Sequence, residues 1–167
     1  MTGPCFVDAN VFVYARDSRD ARKQARAADW IARLWGERLG RTSMQVLSEY
    51  YVTVIRKLTP RVPPEKAWDD TRELFAWRPR PVDETLLRQA REIEQRWRIS
   101  WWDSMVVAAA QLQDCALLLS EDLQDGAVFG AVTVRSPFTL AVEERVAAYA
   151  AAPVAASRHR PRGRPRT

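Results

Sequence analysis

Histidine is almost absent from this sequence, and cysteine is scarce. The 167 residues include one histidine, His159, and two cysteines, Cys5 and Cys115, which lie in separate apolar stretches. Zinc centres draw mainly on these two residue types, and catalytic triads and most proton relays need histidine. The sequence therefore disfavours zinc sites and histidine-based catalysis, and it predicts that both thiols are buried and reduced.

Long apolar runs are also missing. The longest, residues 146–156, is alanine-rich and broken by Pro153, whereas a membrane-spanning helix needs roughly 20 apolar residues. The N-terminal apolar run stops at Asp8 with no basic segment before it, which is unlike a signal peptide. We expect a soluble, cytoplasmic protein that does not contact a membrane.

Positive charge is concentrated near the C-terminus. The net charge is +5, and residues 153–167 contain five arginines and no acid, which leaves 21 basic and 21 acidic residues elsewhere. A segment of arginine, proline and glycine buries too little apolar surface to offset its ordering entropy. We predict one domain over residues 1–150 and a disordered basic tail over residues 151–167. This tail is either simply solvated or an arm for RNA phosphates.

Short apolar runs alternate with amphipathic segments through most of the chain, which predicts strands separated by helices. The predicted strands are residues 5–7, 42–44, 80–82, 116–119 and 131–134. The predicted helix starts are the N-caps Asp20, Ser43, Asp83 and Ser100, and the pair Pro63 and Pro64. Parallel strands need such helical crossovers, so the expected fold is α/β: a three-layer α/β/α sandwich with a central parallel sheet.

Seven tryptophans raise the question of base stacking. Four of them fall on apolar helix faces and are predicted to lie in the core: Trp30, Trp35, Trp68 and Trp97. Trp101 and Trp102 flank the candidate site described next, and packing is the favoured interpretation for them as well.

Four acidic residues are predicted to meet at one edge of the sheet. Asp8 and Asp122 follow strands, while Glu49 and Asp103 lie in the first turns of helices that leave the same edge. Ligands of such sheets gather beyond the carboxyl ends of the strands. Clustered carboxylates repel each other unless a cation neutralises them. The set therefore predicts a Mg²⁺ or Mn²⁺ site suited to phosphodiester chemistry.

Each acid alone has an ordinary structural explanation. Asp8 and Asp122 could belong to turns, Asp103 could cap its helix or complement the helix dipole, and Glu49 could be solvated or a capping residue. The hypothesis therefore depends on the set of four.

Four segments resemble the motifs of PIN-domain proteins in order, spacing and context. They read FVDANVFVYA (6–15), QVLSE (45–49), WDS (102–104) and LSEDLQDG (119–126). The resemblance covers about residues 4–140. It implies a PIN fold, Mg²⁺- or Mn²⁺-dependent endoribonuclease activity, and metal ligation by the four acids.

The resemblance also implies supporting residues and partners. The matches to supporting positions are Asn10, Ser104 and Ser120. Asp125 could share the ligand role assigned to Asp122, and the neighbouring Glu121 adds a further ambiguity. Many bacterial members of the family are VapC-type toxins of type II toxin–antitoxin systems. They are neutralised by a small antitoxin and commonly form homodimers, so both partners are expected here.

Basic residues after the first strand are candidate RNA contacts. Arg16, Arg19, Arg22 and Lys23 follow Asp8 closely and could meet RNA phosphates, although an ordinary solvated helix face would look the same.

Other functions fit less well. A phosphotransferase of the haloacid-dehalogenase type also has an aspartate after its first strand, but its second aspartate would stand where this chain has Asn10. A dinucleotide-binding domain needs a glycine-rich first turn, which is lacking here. A housekeeping RNA-processing nuclease is an alternative to a toxin. A non-catalytic RNA- or protein-binding module is the alternative from another class, although clustered anions beside RNA would not help it.

Overall fold

The computed structural model of the chain describes residues 3–141. The predicted tail at 151–167 and the predicted domain end at 150 lie outside these residues. The elements in chain order are β1 (Cys5–Val7), α1 (Ala9–Tyr14), α2 (Ala21–Glu37), β2 (Gly40–Arg41), α3 (Met44–Arg56), α4 (Pro64–Glu73), a 3-10 helix (Leu74–Trp77), α5 (Glu84–Trp97), α6 (Trp101–Leu112), β3 (Leu117–Leu119), β4 (Val128–Phe129) and β5 (Val132–Arg135).

The strands form one sheet in the order β2-β1-β3-β5-β4. Phe6 in β1 lies opposite Arg41 of β2 on one side and Leu118 of β3 on the other, and both pairings are parallel. Among the five strands of residues 3–141, β4 alone runs antiparallel, as a hairpin with β5 that the sequence did not indicate. The mostly parallel sheet flanked by helices confirms the predicted three-layer α/β/α architecture.

Two predicted strands are wrong in detail. The strand predicted at 42–44 lies two residues earlier, as β2, because Ser43 already caps α3 by accepting a hydrogen bond from Val46 N at 3.2 Å. The strand predicted at 80–82 is reduced to a single bridge between Arg80 and Ser43.

Helix starts follow the capping chemistry. All four predicted N-caps, Asp20, Ser43, Asp83 and Ser100, accept a backbone hydrogen bond from the third residue of their helix. The short helix α1 was not predicted, because its valines and aromatics favour extended structure. Asp8 starts it by accepting a hydrogen bond from Ala9 N at 2.8 Å.

The core confirms part of the aromatic prediction. Trp30 is fully buried, and Trp97 is partly buried against Phe129. The prediction is wrong for Trp35 and Trp68, which are 42% and 49% exposed because they lie at the margins of the buried stripes of their helices. It is also wrong for Trp102, at 56% exposed.

The most apolar helix, α6, is buried on all sides from Asp103 to Ala110, as predicted. Both cysteines are buried and free, also as predicted. Burial raises the pKa of the Cys115 thiol to about 12. Within residues 3–141, no helix is both long and apolar enough to span a membrane.

Candidate active site

Asp8 occupies the carboxyl end of β1 and is completely buried. Its backbone amide donates to Leu119 O at 3.0 Å, which extends the pairing with β3 by one residue. One carboxylate oxygen caps α1, and the other, Oδ2, accepts from Ser120 Oγ at 2.7 Å and Asn10 Nδ2 at 3.2 Å. The three hydrogen bonds to the carboxylate hold it in one orientation.

Asn10 connects the ends of β1 and β3. Its Nδ2 donates to Asp8 Oδ2 and, at 3.1 Å, to Asp122 Oδ2. Its Oδ1 accepts from Glu121 N at 3.2 Å. One neutral amide therefore holds two carboxylates and the loop that carries one of them.

Ser120 has a similar role from the other side. This buried residue directly follows β3, and its Oγ donates to Asp8 while accepting from Asp122 N at 3.3 Å and Leu123 N at 3.4 Å. The loop after β3 is thus fixed to the end of β1.

Glu49 and Asp103 come from α3 and α6. Glu49 Oε1 accepts from Gln45 Nε2 at 3.2 Å, and the same amide lies 3.4 Å from Trp102 O, one residue before the fully buried Asp103. Gln45 therefore links the two helices. Gln45 is not among the residues that the sequence predicts for the site, although its spacing of four residues from Glu49 places both side chains on one helix face.

Ser104, the third predicted supporting residue, is buried and bonds within its own helix. Its Oγ donates to Ser100 O at 2.8 Å. Its contact is with the start of α6 rather than with a carboxylate.

Hydrogen bonds join Asp8 to Asp122 through Asn10, and Gln45 joins Glu49 to the helix of Asp103. In the described part of the chain, no three aspartate, glutamate, cysteine or histidine groups form a ready-made metal cluster. The chemistry of the donor set nevertheless fits a hard divalent cation, because all four side chains offer carboxylate oxygens and no soft ligand lies among them.

Asp125 is engaged elsewhere. Its carboxylate accepts from Arg135 Nε at 3.0 Å, Ser136 N at 2.9 Å and Thr139 Oγ1 at 2.8 Å. These contacts fix the loop after β3 to the end of β5.

Glu121 forms an ion pair with Lys23 of α2. The Lys23 ammonium also lies 4.7 Å from the ring centroid of Tyr14 and 4.9 Å from that of Phe138. The hydrogen bond to Glu121 raises the pKa of Lys23. The Glu121 carboxylate is therefore held by α2.

Three of the four candidate RNA contacts have acidic partners in the protein. They are Arg16 with Asp70, Arg19 with Asp17, and Lys23 with Glu121. Asp70 also accepts from the Tyr50 hydroxyl, whose pKa is raised first by burial and then by Asp70. Arg22 is exposed and has no side-chain partner among residues 3–141.

The mostly parallel sheet flanked by helices defines the class of fold, and sequence comparison gives the family. The PIN domain model matches residues 5–124, so the chain belongs to the PIN-domain family. A search of curated proteins found no significant match.

Two solved structures share the fold. One is VapC20 from Mycobacterium tuberculosis, described as a sarcin-ricin loop cleaving toxin, with 21% identity, a TM-score of 0.51, and coverage of 68% of this chain and 86% of that one. The other is a chain from FitAB bound to an IR36 DNA fragment, with 23% identity, a TM-score of 0.63, and coverage of 81% and 96%. At these identities the similarity shows the fold alone.

Proposed function

We propose that this chain is a Mg²⁺- or Mn²⁺-dependent endoribonuclease and acts as the toxin of a type II toxin–antitoxin system. The observation that carries the proposal is the link from Asp8 to Asp122 through Asn10 and Ser120, at the carboxyl edge of the sheet. Clustered carboxylates repel each other unless a cation neutralises them, and a bound divalent cation can in turn bind a phosphate. Membership in the PIN-domain family supports this interpretation.

Asp8, Glu49, Asp103 and Asp122 would hold the metal. When bound, such an ion activates water and offsets the charge that develops on the phosphate. Asp8 and Asp103 are fully buried, so they would fix the position of the ion. Glu49 is only partly buried and Asp122 is exposed, so these two would face water and the RNA.

Asp122 is a better fourth ligand than Asp125. The Asp125 carboxylate already accepts three hydrogen bonds from the end of β5 and the turn after it. Asp122 instead shares the Asn10 amide with Asp8. Asn10 and Ser120 would keep the carboxylates oriented, while the Lys23 ion pair would keep Glu121 from competing with them.

RNA as substrate is supported by the description of VapC20 as a toxin that cleaves the sarcin-ricin loop. An antitoxin partner, a homodimer and a cytoplasmic location belong to the same proposal, since VapC-type proteins commonly have these properties. The housekeeping nuclease and the non-catalytic module are the alternatives that experiments must separate from it.

The first test is RNA cleavage by the purified protein with Mg²⁺, Mn²⁺ or excess EDTA. The Asp103→Asn variant, purified in the same way, controls for contaminating nucleases. We expect fragments with metal and none with EDTA or the variant. Undiminished cleavage in EDTA would exclude the metal mechanism, and intact RNA under every metal condition would favour the non-catalytic module.

A second test separates toxin from housekeeping enzyme. Induced expression in a bacterial host should arrest growth for the wild type but not for Asp103→Asn. Co-expression of the reading frame directly upstream should restore growth. Normal growth in cells that contain active enzyme would support the housekeeping alternative.

A further inference from the structure

A cleft lies at the opposite edge of the sheet from Asp8 and Asp122. It has a volume of about 470 Å³, and its lining includes Trp35, Arg38, Gly40, Arg41, Trp77 and Arg78. Gly40 begins β2 and lies opposite Cys5, the first residue of β1. The cleft is therefore at the amino edge of the strands, whereas Asp8 lies just past their carboxyl edge.

The cleft is strongly basic. Three arginines line it, and no aspartate or glutamate does. Arg41 Nη1 donates to Gly40 O at 2.9 Å and to Arg38 O at 3.2 Å, which fixes this guanidinium against the wall. Arg38 and Arg78 are exposed.

An aromatic face accompanies these charges. The Trp35 ring is 42% exposed and lies 5.6 Å from the ring of Trp77, centroid to centroid. Trp77 is buried and covers Gly40 so closely that a Cβ at Gly40 would lie 2.5 Å from its ring. The Trp77 ring is therefore held in place against Gly40, and the exposed part of Trp35 is available to a ligand. Nucleobases stack on such faces whatever their sequence.

We propose that this basic cleft binds a nucleotide of single-stranded RNA, with Trp35 stacking on the base and Arg38 and Arg78 contacting phosphates. The proposal rests on the proposed RNA substrate and gives it a contact away from the cleavage site. The three residues of β1 separate the two edges by roughly 10 Å, at about 3.3 Å per residue. The strand is buried, so an RNA that contacts both edges must follow the protein surface and cover more than this distance.

The backbone conformation of Arg38 and Arg78 allows both charges to be removed without strain. Arg38 and Arg78 have φ values of 58° and 51°, in the left-handed region that glycine adopts without steric cost. Arg98 has the same conformation outside the cleft, so the conformation alone does not mark a binding site. Replacing Arg38 and Arg78 by glycine should keep or raise the melting temperature while removing two charges from the cleft.

We expect Arg38→Gly/Arg78→Gly to bind RNA more weakly than the wild type. The probe is a short fluorescein-labelled single-stranded RNA, followed by anisotropy in EDTA so that metal-dependent cleavage does not interfere. A plot of log K against log salt has a negative slope. The magnitude of this slope should fall by about 0.7 for each lost phosphate contact, or about 1.4 for the pair. Trp35→Leu should weaken binding without changing the slope, because stacking involves no ion release.

The matched control is Arg88→Gln/Arg91→Gln, which removes two exposed arginines of α5 that do not line the cleft. Its slope should match that of the wild type. If the glycine pair lowers the melting temperature, Arg38→Gln/Arg78→Gln replaces it with the same expected loss of slope.

Two outcomes would overturn the proposal: an unchanged slope and affinity in folded cleft variants, or an equal loss in the α5 control. Cleft variants that bind RNA normally but lose binding to a polyglutamate peptide would overturn it in favour of an acidic protein partner. Cleavage is measured separately, so a protein that binds RNA through the cleft but cuts none would contradict only the proposed nuclease function.

Discussion

The side-chain amide of Asn10 donates to Asp122 Oδ2 at 3.1 Å across a sequence separation of 112 residues. The same nitrogen lies 3.2 Å from Asp8 Oδ2, so one donor serves two carboxylates. A neutral amide at this point reduces the repulsion between them without adding a charge of its own. The identity of the residue two places after Asp8 therefore affects how strongly Asp8 and Asp122 repel each other.

Changing Asn10→Asp should make the protein more dependent on divalent cations. The substitution removes a hydrogen-bond donor to charged groups, which lowers stability by about 1.5–3 kcal/mol. It also places another carboxylate beside those of Asp8 and Asp122. We expect a lower melting temperature in EDTA and a larger increase on addition of Mg²⁺ than in the wild type. Asn10→Ala removes the donor without adding charge and serves as the control. The same Mg²⁺ response in both variants and the wild type would contradict this account of Asn10.

Asp103→Asn separates a metal ligand from a helix cap. Ser100 is the residue that caps α6, through a 3.1 Å bond from Asp103 N to its Oγ, so the Asp103 carboxylate is not needed for capping. If Asp103 is a metal ligand, the Asp103→Asn variant should lose most RNA cleavage and most of the Mg²⁺-induced rise in melting temperature. The metal-free protein should keep or gain stability, because one repelling charge is gone.

The control for Asp103 is Ser100→Ala, which should cost about 1 kcal/mol through loss of the cap. It should leave the Mg²⁺-induced rise in melting temperature unchanged. Wild-type cleavage rates and a normal Mg²⁺ response in Asp103→Asn would remove this residue from the site.

Local chemistry explains which parts of the fold the sequence could predict. The caps Asp20, Ser43, Asp83 and Ser100 act within three residues, so the sequence alone indicated them correctly. The acids at Asp8 and Asp122 could be placed because parallel strands end at a common edge.

Features that depend on distant partners were missed. Helix α1 forms although its residues favour extended structure, and β4 is only a two-residue hairpin arm. The exposure of Trp35 depends on which helices cover α2, which periodicity does not show. The pairing of Arg16 with Asp70 joins residues 54 positions apart, and no local pattern predicts it.

Arg22 and Arg16 should differ in what they contribute. Arg16 makes two hydrogen bonds to the partly buried Asp70, at 2.8 and 2.5 Å, whereas Arg22 is exposed and has no acidic partner in the described region. Arg22→Gln should reduce the magnitude of the slope of log K against log salt for RNA binding by about 0.7 and leave stability unchanged. Arg16→Gln should mainly lower stability. Equal effects of the two changes on RNA binding would contradict this division.

Stability should fall in mildly alkaline solution because of Cys115. Burial raises the pKa of this thiol from 9.0 to about 12. Between these values the unfolded chain releases a proton that the native protein retains, so rising pH favours unfolding. The loss has an upper limit of about 1.4 kcal/mol per pH unit, and the contribution is fully present below the unfolded pKa.

Urea denaturation at a series of pH values, with and without Cys115→Ala, measures this contribution. The variant should be less stable at neutral pH, because a buried sulfur is lost, but its stability should decline less steeply above about pH 9. Tyr50 acts in the same direction at higher pH, since burial raises its pKa as well, so some decline should remain in the variant. Tyr50→Phe in the Cys115→Ala background should reduce that remainder. Parallel curves for the wild type and Cys115→Ala would mean that the thiol ionises in the native protein as readily as in the unfolded chain, which its burial at 2% exposure should prevent.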